Sequence, residues 1–445
     1  MKSAKVRSMT QGNPTALLAM FALPMLIGNL FQQAYNLADS VVVGQFVGAS
    51  ALAAIGATSS VTFLFFSICN GISSGCGIVT SQLFGAGDPV RTKRAVANSA
   101  YVMMVSAVVM GAVAYAASPM ALRLMGTPED ILPDAVLYMR MSCIGVPLVG
   151  VYNYTASMLR ALGDSRTPLY FLIFACFLNI ALDLLFVCVF GMAVFGAALA
   201  TIIAQMVAGV GGLVHVLRTN PYFMLRRQDF KPDRTIICKS VKLGLPIAMQ
   251  WSLIAVSTTS LQSFVNGFGT AAVAAYTAIS RIEQLVHQPY GSLNAALATY
   301  AGQNYGAGRM DRVRLGLKHI FALSGAFTLL IFAVMQLFGD AIVSMFVSDP
   351  EVIRLGSEGL KLTSWFYASL ALIYMTRGVL NGVGDALFSL INGGVEVVCR
   401  VTMPPLLMLS PAMGVESSWW VTGLTWLVSA VFCLLRYDRW KRKKA

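Results

Sequence analysis

Two short patterns in this chain have the residue types for ion chemistry, in surroundings that are otherwise apolar. Asn179 and Asp183 stand four residues apart within the apolar run Phe171 to Phe190, so a helix places both on one side of the same turn. Asp39 follows the polar series Asn29, Gln33, Asn36 and Ser40, whose spacing forms one helix face with Asp39 beside it. No nearby basic residue neutralises Asn179 and Asp183 locally. A carboxylate at the bilayer centre costs on the order of 2.5–3.5 kcal/mol on insertion scales, so each one asks for a function. Flanked by neutral oxygens, such a carboxylate holds a hard cation; stripped of its hydration, it holds a proton. Two plainer readings stay open. The polar groups can form a hydrogen-bonded network that joins helices, and Asp39 can sit at a wet outer helix end. Pro24, upstream of Asp39, supplies a hinge at which the first helix can bend, or is simply a proline that a membrane helix tolerates.

A few ionisable residues also interrupt the apolar stretches of the second half. Arg281 and Glu283 are two positions apart and do not face one another on a helix, so their partners lie elsewhere. Glu396 and Arg400, four apart, have the spacing of a pair within one helix. Glu283 is read either as a substrate contact, together with Arg281 and Asn36, or as part of a charge network. Arg140 has a long aliphatic stem and is read as snorkelling towards the outer interface.

These residues need membrane-spanning elements to position them, and the composition supplies such elements. Of 445 residues, 57% are hydrophobic and 11% charged, against about 25% charged in a soluble domain; the mean hydropathy is +0.71. Apolar stretches long enough to span a bilayer lie near 15–40, 47–80, 95–117, 134–157, 167–190, 194–217, 240–266, 271–302, 316–338, 356–380, 387–409 and 417–435. The first is too long and too polar for a cleaved signal and is read as a retained span.

The net charge of +13 is concentrated in alternate loops. Basic residues collect at Lys2, Lys5 and Arg7, at Arg91, Lys93 and Arg94, at Arg160 and Arg166, and in the stretch Arg218 to Lys242. They continue at Arg309, Arg312, Arg314 and Lys318, at Arg377, and from Arg436 to Lys444. The intervening loops are nearly free of them, having Arg123 among Glu129, Asp130 and Asp134, and Arg354 among Asp349, Glu351 and Glu358. This alternation puts both termini in the cytoplasm and the spans in the cytoplasmic (inner) membrane. The basic clusters then meet anionic lipid and are not a nucleic-acid surface.

An internal repeat organises the spans. Gln82-Leu83-Phe84-Gly85-Ala86-Gly87 recurs as Gln303-Asn304-Tyr305-Gly306-Ala307-Gly308, a shift of 221 (303 minus 82) that also carries Gly48 onto Gly269, Arg91 onto Arg312 and Gly163-Asp164 onto Gly384-Asp385. The expected fold is therefore an all-α membrane protein of twelve transmembrane helices in two pseudo-symmetric six-helix lobes, related as a parallel repeat. The boundaries are 1–217 for the N-terminal lobe with the cation site, 218–239 for a basic cytoplasmic linker, and 240–445 for the C-terminal lobe and its basic tail. Gly85-Ala86-Gly87 and its repeat read as helix C-caps. The same shift takes Asp39, Asn179 and Asp183 to Ser260, Arg400 and Pro404, so the acid pair belongs to the first lobe alone.

Enzyme chemistry finds no foothold. The eight cysteines form no CxxC pair, the three histidines are scattered, and neither a P-loop nor a GxSxG motif occurs. No cofactor is expected beyond a coupling ion, H+ or Na+. The 23 methionines and 10% aromatic residues suit a cavity that repacks around varied ligands, or are ordinary lipid-facing filler.

The paired Gln-x-x-Gly-Ala-Gly blocks, the run Asn294 to Gln303 before the second, and the pattern from Pro24 to Asp39 with Val43-Gly44 and Gly48 resemble the multidrug and toxic compound extrusion (MATE) family over essentially the whole chain. That resemblance implies a twelve-helix secondary exporter driven by protons or sodium, a monomer in lipid whose substrates are small amphipathic, often cationic, molecules. Asp39, Asn179, Asp183 and Thr201 resemble the cation site of its DinF-like branch, and Tyr138 and Asn153 match that site's polar neighbourhood. The alternative within the wider superfamily is a flippase of a lipid or lipid-linked precursor.

The topology is open to labelling. Single cysteines at Ser3 and Ala445 should react with an impermeant thiol reagent only from the cytoplasmic side, and cysteines at Asp130 and Asp349 only from outside. An externally reactive Ala445→Cys contradicts the even number of spans.

Overall fold

The structure, a computed structural model, describes residues 8–410 and 413–443. Lys2, Lys5, Arg7 and Lys444 of the basic ends, and the labelling positions Ser3 and Ala445, lie outside the described residues. Helices account for every predicted span. In the first half they are α1 (Pro14–Phe46), α2 (Ala49–Gly85), α3 (Pro89–Leu124), α4 (Leu132–Ala161), α5 (Arg166–Asp183) and α6 (Ala193–Thr219). In the second they are α7 (Arg234–Val265), α8 (Thr270–Gly306), α9 (Met310–Ser344), α10 (Pro350–Ser364), α11 (Tyr367–Gly382), α12 (Leu387–Leu407) and α13 (Glu416–Lys443). No strand occurs among the described residues.

Nine of the helices among the described residues are long and apolar enough to cross a membrane by length and composition alone. The three other predicted spans differ for identifiable reasons. α8 and α12 carry Arg281, Glu283, Glu396 and Arg400 in their interiors, and the span predicted at 356–380 is broken at Trp365 and Phe366 into α10 and α11. The break is satisfied locally. The Lys361 carbonyl accepts from Gln336 Nε2 at 2.7 Å and from Ser364 Oγ at 2.7 Å, while Phe366 N–H turns back to the Thr363 carbonyl at 2.9 Å. Buried side chains thus replace the helical bonds that the break removes.

The repeat is visible in the backbone. Glycines with left-handed φ recur at the 221-residue shift: Gly48 (120°) and Gly269 (90°), Gly87 (71°) and Gly308 (71°), Gly163 (86°) and Gly384 (97°). Gly87 closes α2 through its N–H to the Phe84 carbonyl at 3.1 Å, the capping geometry that its sequence context predicts.

Two compact units divide the chain. One contains Leu23–Ala248 and Gly306–Gly308, and the other Gly12–Ala22, Met249–Tyr305 and the chain from Arg309 onward. The division thus falls within α7, beyond the basic stretch 218–239 that sequence suggests as the linker. Close backbone approach explains this. A Cβ at Gly71 would lie 2.5 Å from Ala248, and one at Gly75 would lie 2.5 Å from Gly244 N, so the first turns of α7 pack directly on α2. The preceding segment is fixed to α3, with Asp233 N–H bonded to Asn98 Oδ1 at 2.9 Å and Lys93 Nζ to the Met224 carbonyl at 3.1 Å. In the second unit, Arg312 donates to the Gly12 carbonyl at 2.9 Å and Thr15 Oγ1 meets His319 Nδ1 at 2.7 Å.

This packing has no room for a side chain at Gly75. Gly75→Val should lower stability by about 1–3 kcal/mol through overpacking, read as a lower midpoint of thermal unfolding in detergent. Gly56→Val, where an added Cβ meets nothing within 4 Å, should change it by less than about 0.5 kcal/mol.

Candidate functional site

The first unit gathers Asp39 of α1, Asn179 and Asp183 of α5 and Thr201 of α6. Asp39 is 7% exposed, Asn179 2% and Asp183 0%. Asn179 Nδ2 donates to Thr201 Oγ1 at 3.3 Å, joining α5 to α6. Asp183 lies in the electrostatic field of Asp39, and the phenol of Tyr138, on α4, lies in the fields of Asp39, Asp183 and Tyr35. α5 ends at Asp183 and continues as a π-helical turn, Leu184–Val189. Such a turn widens the backbone locally and recurs at functional sites.

Sequence reasoning missed two further members. Tyr35 and Gln205 line a narrow cavity with Asn179 and Thr201. Each was legible by helical spacing, since Tyr35 is one turn before Asp39 and Gln205 one turn after Thr201. Apolar layers flank the group. Val43 and Val187, each four residues beyond an aspartate, pack with Val42, Ile55 and Val194 against Tyr138. Ala175, Ala204 and Ala208 bring α5 and α6 close together beside Tyr152 and Phe171.

The chemistry of this group is one-sided. Asp39 Oδ1, Asn179 Oδ1, both carboxylate oxygens of Asp183 and Gln205 Oε1 are buried without a hydrogen-bond partner. All five are acceptors when the carboxyls are ionised, and neither aspartate has an ion pair among the described residues. An acceptor-rich, donor-poor cluster out of water fits a small cation or a proton. No group of three or more His, Cys, Asp or Glu side chains suited to a transition metal occurs among the described residues.

Other expected members are placed elsewhere. Asn153 lines a separate cavity with Phe66, Cys69, Met103 and Val149, because Tyr152 is the α4 residue that turns to α5, its hydroxyl 3.4 Å from the Pro168 carbonyl. Asn36 is exposed on α1 and bonded to Gln33 at 3.5 Å, so the polar series lies on a different face from Asp39. Arg281 is exposed on α8, whereas Glu283 is half-buried with Oε1 unpartnered. Pro24 is buried within α1, two residues from the point at which the chain passes from one compact unit to the other. Arg140 does not snorkel freely; its guanidinium sits 4.9 Å from the centre of the Tyr115 ring.

Two expectations about the second unit are corrected. Glu396 does not pair with Arg400 one turn away but with Arg377 of α11, and both partners are buried. Arg377 is therefore not a cytoplasmic charge; its Nε also bonds Asn392 Oδ1 at 2.7 Å. The guanidinium of Arg377 reaches Glu396 from a neighbouring helix, while Arg400 turns its Nη1 to Ser257 Oγ at 3.3 Å.

The family profile described as MatE matches residues 24–185 and again 246–406. The chain belongs to the MATE family. The two matches cover the two halves of the repeat, and the chain is a multi-pass membrane protein of this transporter family. It is 30% identical over 446 residues to the probable multidrug resistance protein YpnP of Bacillus subtilis, covering 99% of each chain. It is 26% identical to an FAD transporter of Shewanella oneidensis, over 94% of this chain and 92% of that one. It is 23% identical to the multidrug export protein MepA of Staphylococcus saprophyticus, over 93% and 90%. None of these three names points to a lipid flippase. Among solved structures, MATE in the straight conformation superposes with a TM-score of 0.92 at 24% identity over 100% of both chains. An outward-facing multidrug resistance MATE family transporter gives 0.89 at 24% over 100% and 98%. These likenesses establish the shared fold.

In this MATE protein the two buried acidic settings should respond oppositely to neutralisation. Asp183→Asn removes an unpartnered charge and should leave the thermal midpoint unchanged or higher. Glu396→Ala strands the Arg377 guanidinium and should cost about 3–5 kcal/mol. Thermal unfolding of the purified variants in one detergent checks both.

Proposed function

We propose that this MATE protein is a secondary active exporter that moves small amphipathic molecules, often cationic, out through the cytoplasmic membrane in exchange for protons or sodium ions at Asp39 and Asp183. The carrying observation is the cluster of five buried, unpartnered acceptor atoms on α1, α5 and α6. The names of the relatives support the direction and the substrates, since YpnP and MepA are described as multidrug resistance and export proteins. The FAD transporter among them extends the substrate range that this fold accepts.

The residues divide the work by chemistry. Asp183 and Asp39 supply the negative charge, Asn179 and Gln205 supply neutral carbonyl oxygens, and Thr201 and Tyr138 supply hydroxyls that orient them. Binding of one cation removes the mutual repulsion of the carboxylates and the cost of their bare oxygens. Release restores both, so the occupied and empty forms favour different packings of α1 against α5. Pro24 provides a place in α1 for that difference to be absorbed. Entry of one positive charge contributes about 2.3 kcal/mol per 100 mV, which drives export when ion entry must precede reopening. The protein works as a monomer with both termini in the cytoplasm, alternating between outward-open and inward-open states.

Export by purified variants in liposomes under imposed pH or sodium gradients tests this reading. Asp39→Asn and Asp183→Asn should insert and fold, because the amide nearly conserves shape, but gradient-driven export should fall to the level of empty liposomes. Ser260→Ala, at the position repeating Asp39, should transport like wild type. Coupled export by both Asn variants contradicts the mechanism, and the gradient that sustains wild-type export identifies the ion.

A further inference from the structure

The second unit holds four ionisable groups of opposite sign in its interior: Glu283, Arg377, Glu396 and Arg400. Arg377 and Glu396 satisfy each other directly. Glu283 and Arg400 do not. They lie within electrostatic range, yet no ion pair joins them among the described residues, and each keeps a buried atom without a partner, Oε1 of Glu283 and Nε of Arg400. Arg400 is 6% exposed and has a hydroxyl contact, Nη1 to Ser257 Oγ at 3.3 Å.

Besides Arg400, the base beside Glu283 is the imidazole of His287, one turn along α8. Thr363 of α10 and Tyr367 of α11 face Glu283, with Tyr276 on its own helix. Arg400, on α12, is the cation of that set, with Glu396 and Cys399 near it on α12. One turn beyond Glu283, His287 presents Nδ1 to the Tyr374 hydroxyl at 3.5 Å and leaves Nε2 buried and unpartnered. From α13, Trp419 stacks on Tyr276 with ring centroids 6.0 Å apart.

The repeat gives this arrangement its meaning. Arg400 stands 221 residues after Asn179, as Thr422 does after Thr201 and Trp426 after Gln205. Where the unpartnered atoms of the first unit's cluster are acceptors, the second has a guanidinium attached to its own α12. A fixed positive charge repels a sodium ion, whereas a proton on Glu283 adds no bulk and removes the need for a partner. An ionised Glu283, in contrast, lies in the field of the permanent cation Arg400.

We propose that Glu283 is a second exchangeable-proton site, open when protonated and closed onto Arg400 as an ion pair when its carboxyl releases H+ to solvent. The proton leaves, the carboxylate keeps the electron pair, and no other bond changes. The switch ties α8 to α12 in the deprotonated form and frees them in the protonated form; the structure shows the two side chains unpaired. It goes beyond the Asp39 and Asp183 reading, and its test requires no transport.

Protons taken up by the purified full-length protein on a step to lower pH are counted with an indicator dye. Glu283→Gln should take up about one proton fewer per molecule than wild type, and the difference should persist in an Asp39→Asn, Asp183→Asn background and be unaffected by sodium. Equal uptake, or displacement of that proton by sodium, overturns the proposal. Spin labels at the exposed positions Leu285 and Val398 report the switch separately, whatever the yield of Glu283→Gln. Their distance should shorten on alkalinisation in wild type and in Glu283→Asp but stay fixed in Arg400→Met. A wild-type distance that ignores pH, or one that still responds in Arg400→Met, also overturns it.

Discussion

Inside a bilayer, water is not available to hydrate a carboxylate or a guanidinium, and every such group must be neutralised by something the fold can hold. The two units meet this constraint with different chemistry. In the first, Asp39 and Asp183 are surrounded by amide and hydroxyl oxygens, with no ion pair to either among the described residues. In the proposed mechanism, neutralisation comes from an ion that arrives and departs. In the second, Arg377 closes directly on Glu396, and Asn392 takes the remaining donor. That arrangement is complete without any visitor. Desolvation is the same in both places; only the identity of the partner differs, and this decides whether a buried acid acts as a fastener or as a carrier.

The same constraint governs the backbone. An interrupted helix leaves N–H and C=O groups that lipid cannot satisfy, so interruptions need polar side chains or tight turns beside them. At Trp365 and Phe366 the Lys361 carbonyl is answered by Gln336 and Ser364. After Asp183 the helix widens into the π-helical turn instead, and the chain recovers through Gly191 and Ala193, both at left-handed φ. An unusual backbone directly beside a fully buried carboxylate is a configuration with alternatives close in energy. A rearrangement triggered by one charge is easier there than in an unbroken helix.

Much of this organisation could be read from the residues. Apolar stretches locate the spans because length and hydropathy are strong signals in lipid, though not the break of 356–380 into α10 and α11, and the Gln-x-x-Gly-Ala-Gly repeat predicts the paired left-handed glycines at 87 and 308. Asn179 and Asp183 were legible from their spacing alone. What escaped depends on contacts between helices distant in sequence. The passage of α7 between units follows from Gly71 and Gly75 opposite Gly244 and Ala248, and glycine spacing on one helix does not reveal which partner it admits. Arg377 looks like a topogenic charge until the structure brings Glu396 and Asn392 to it. Asn153 fails for a rotational reason, since one residue is about 100° of helix and Tyr152 already occupies the side that faces α5.

The asymmetry of the halves follows from the same accounting of charge. A duplicated six-helix unit begins with equivalent positions, and retaining an acid in both halves would give two exchangeable sites with two desolvation costs. Replacing the Asn179 position by Arg400 in the second half converts an acceptor into a permanent cation. That change removes the capacity to bind a metal ion there, because the guanidinium already occupies the electrostatic role. Compensation then has to come from another helix, and in the proposed switch α8 supplies it as an ionised Glu283. One half holds unpartnered acidic oxygens, while the other holds acids and guanidiniums together. A guanidinium in this place keeps a metal ion out of the second half, so sodium meets its acceptor cluster in the first half alone.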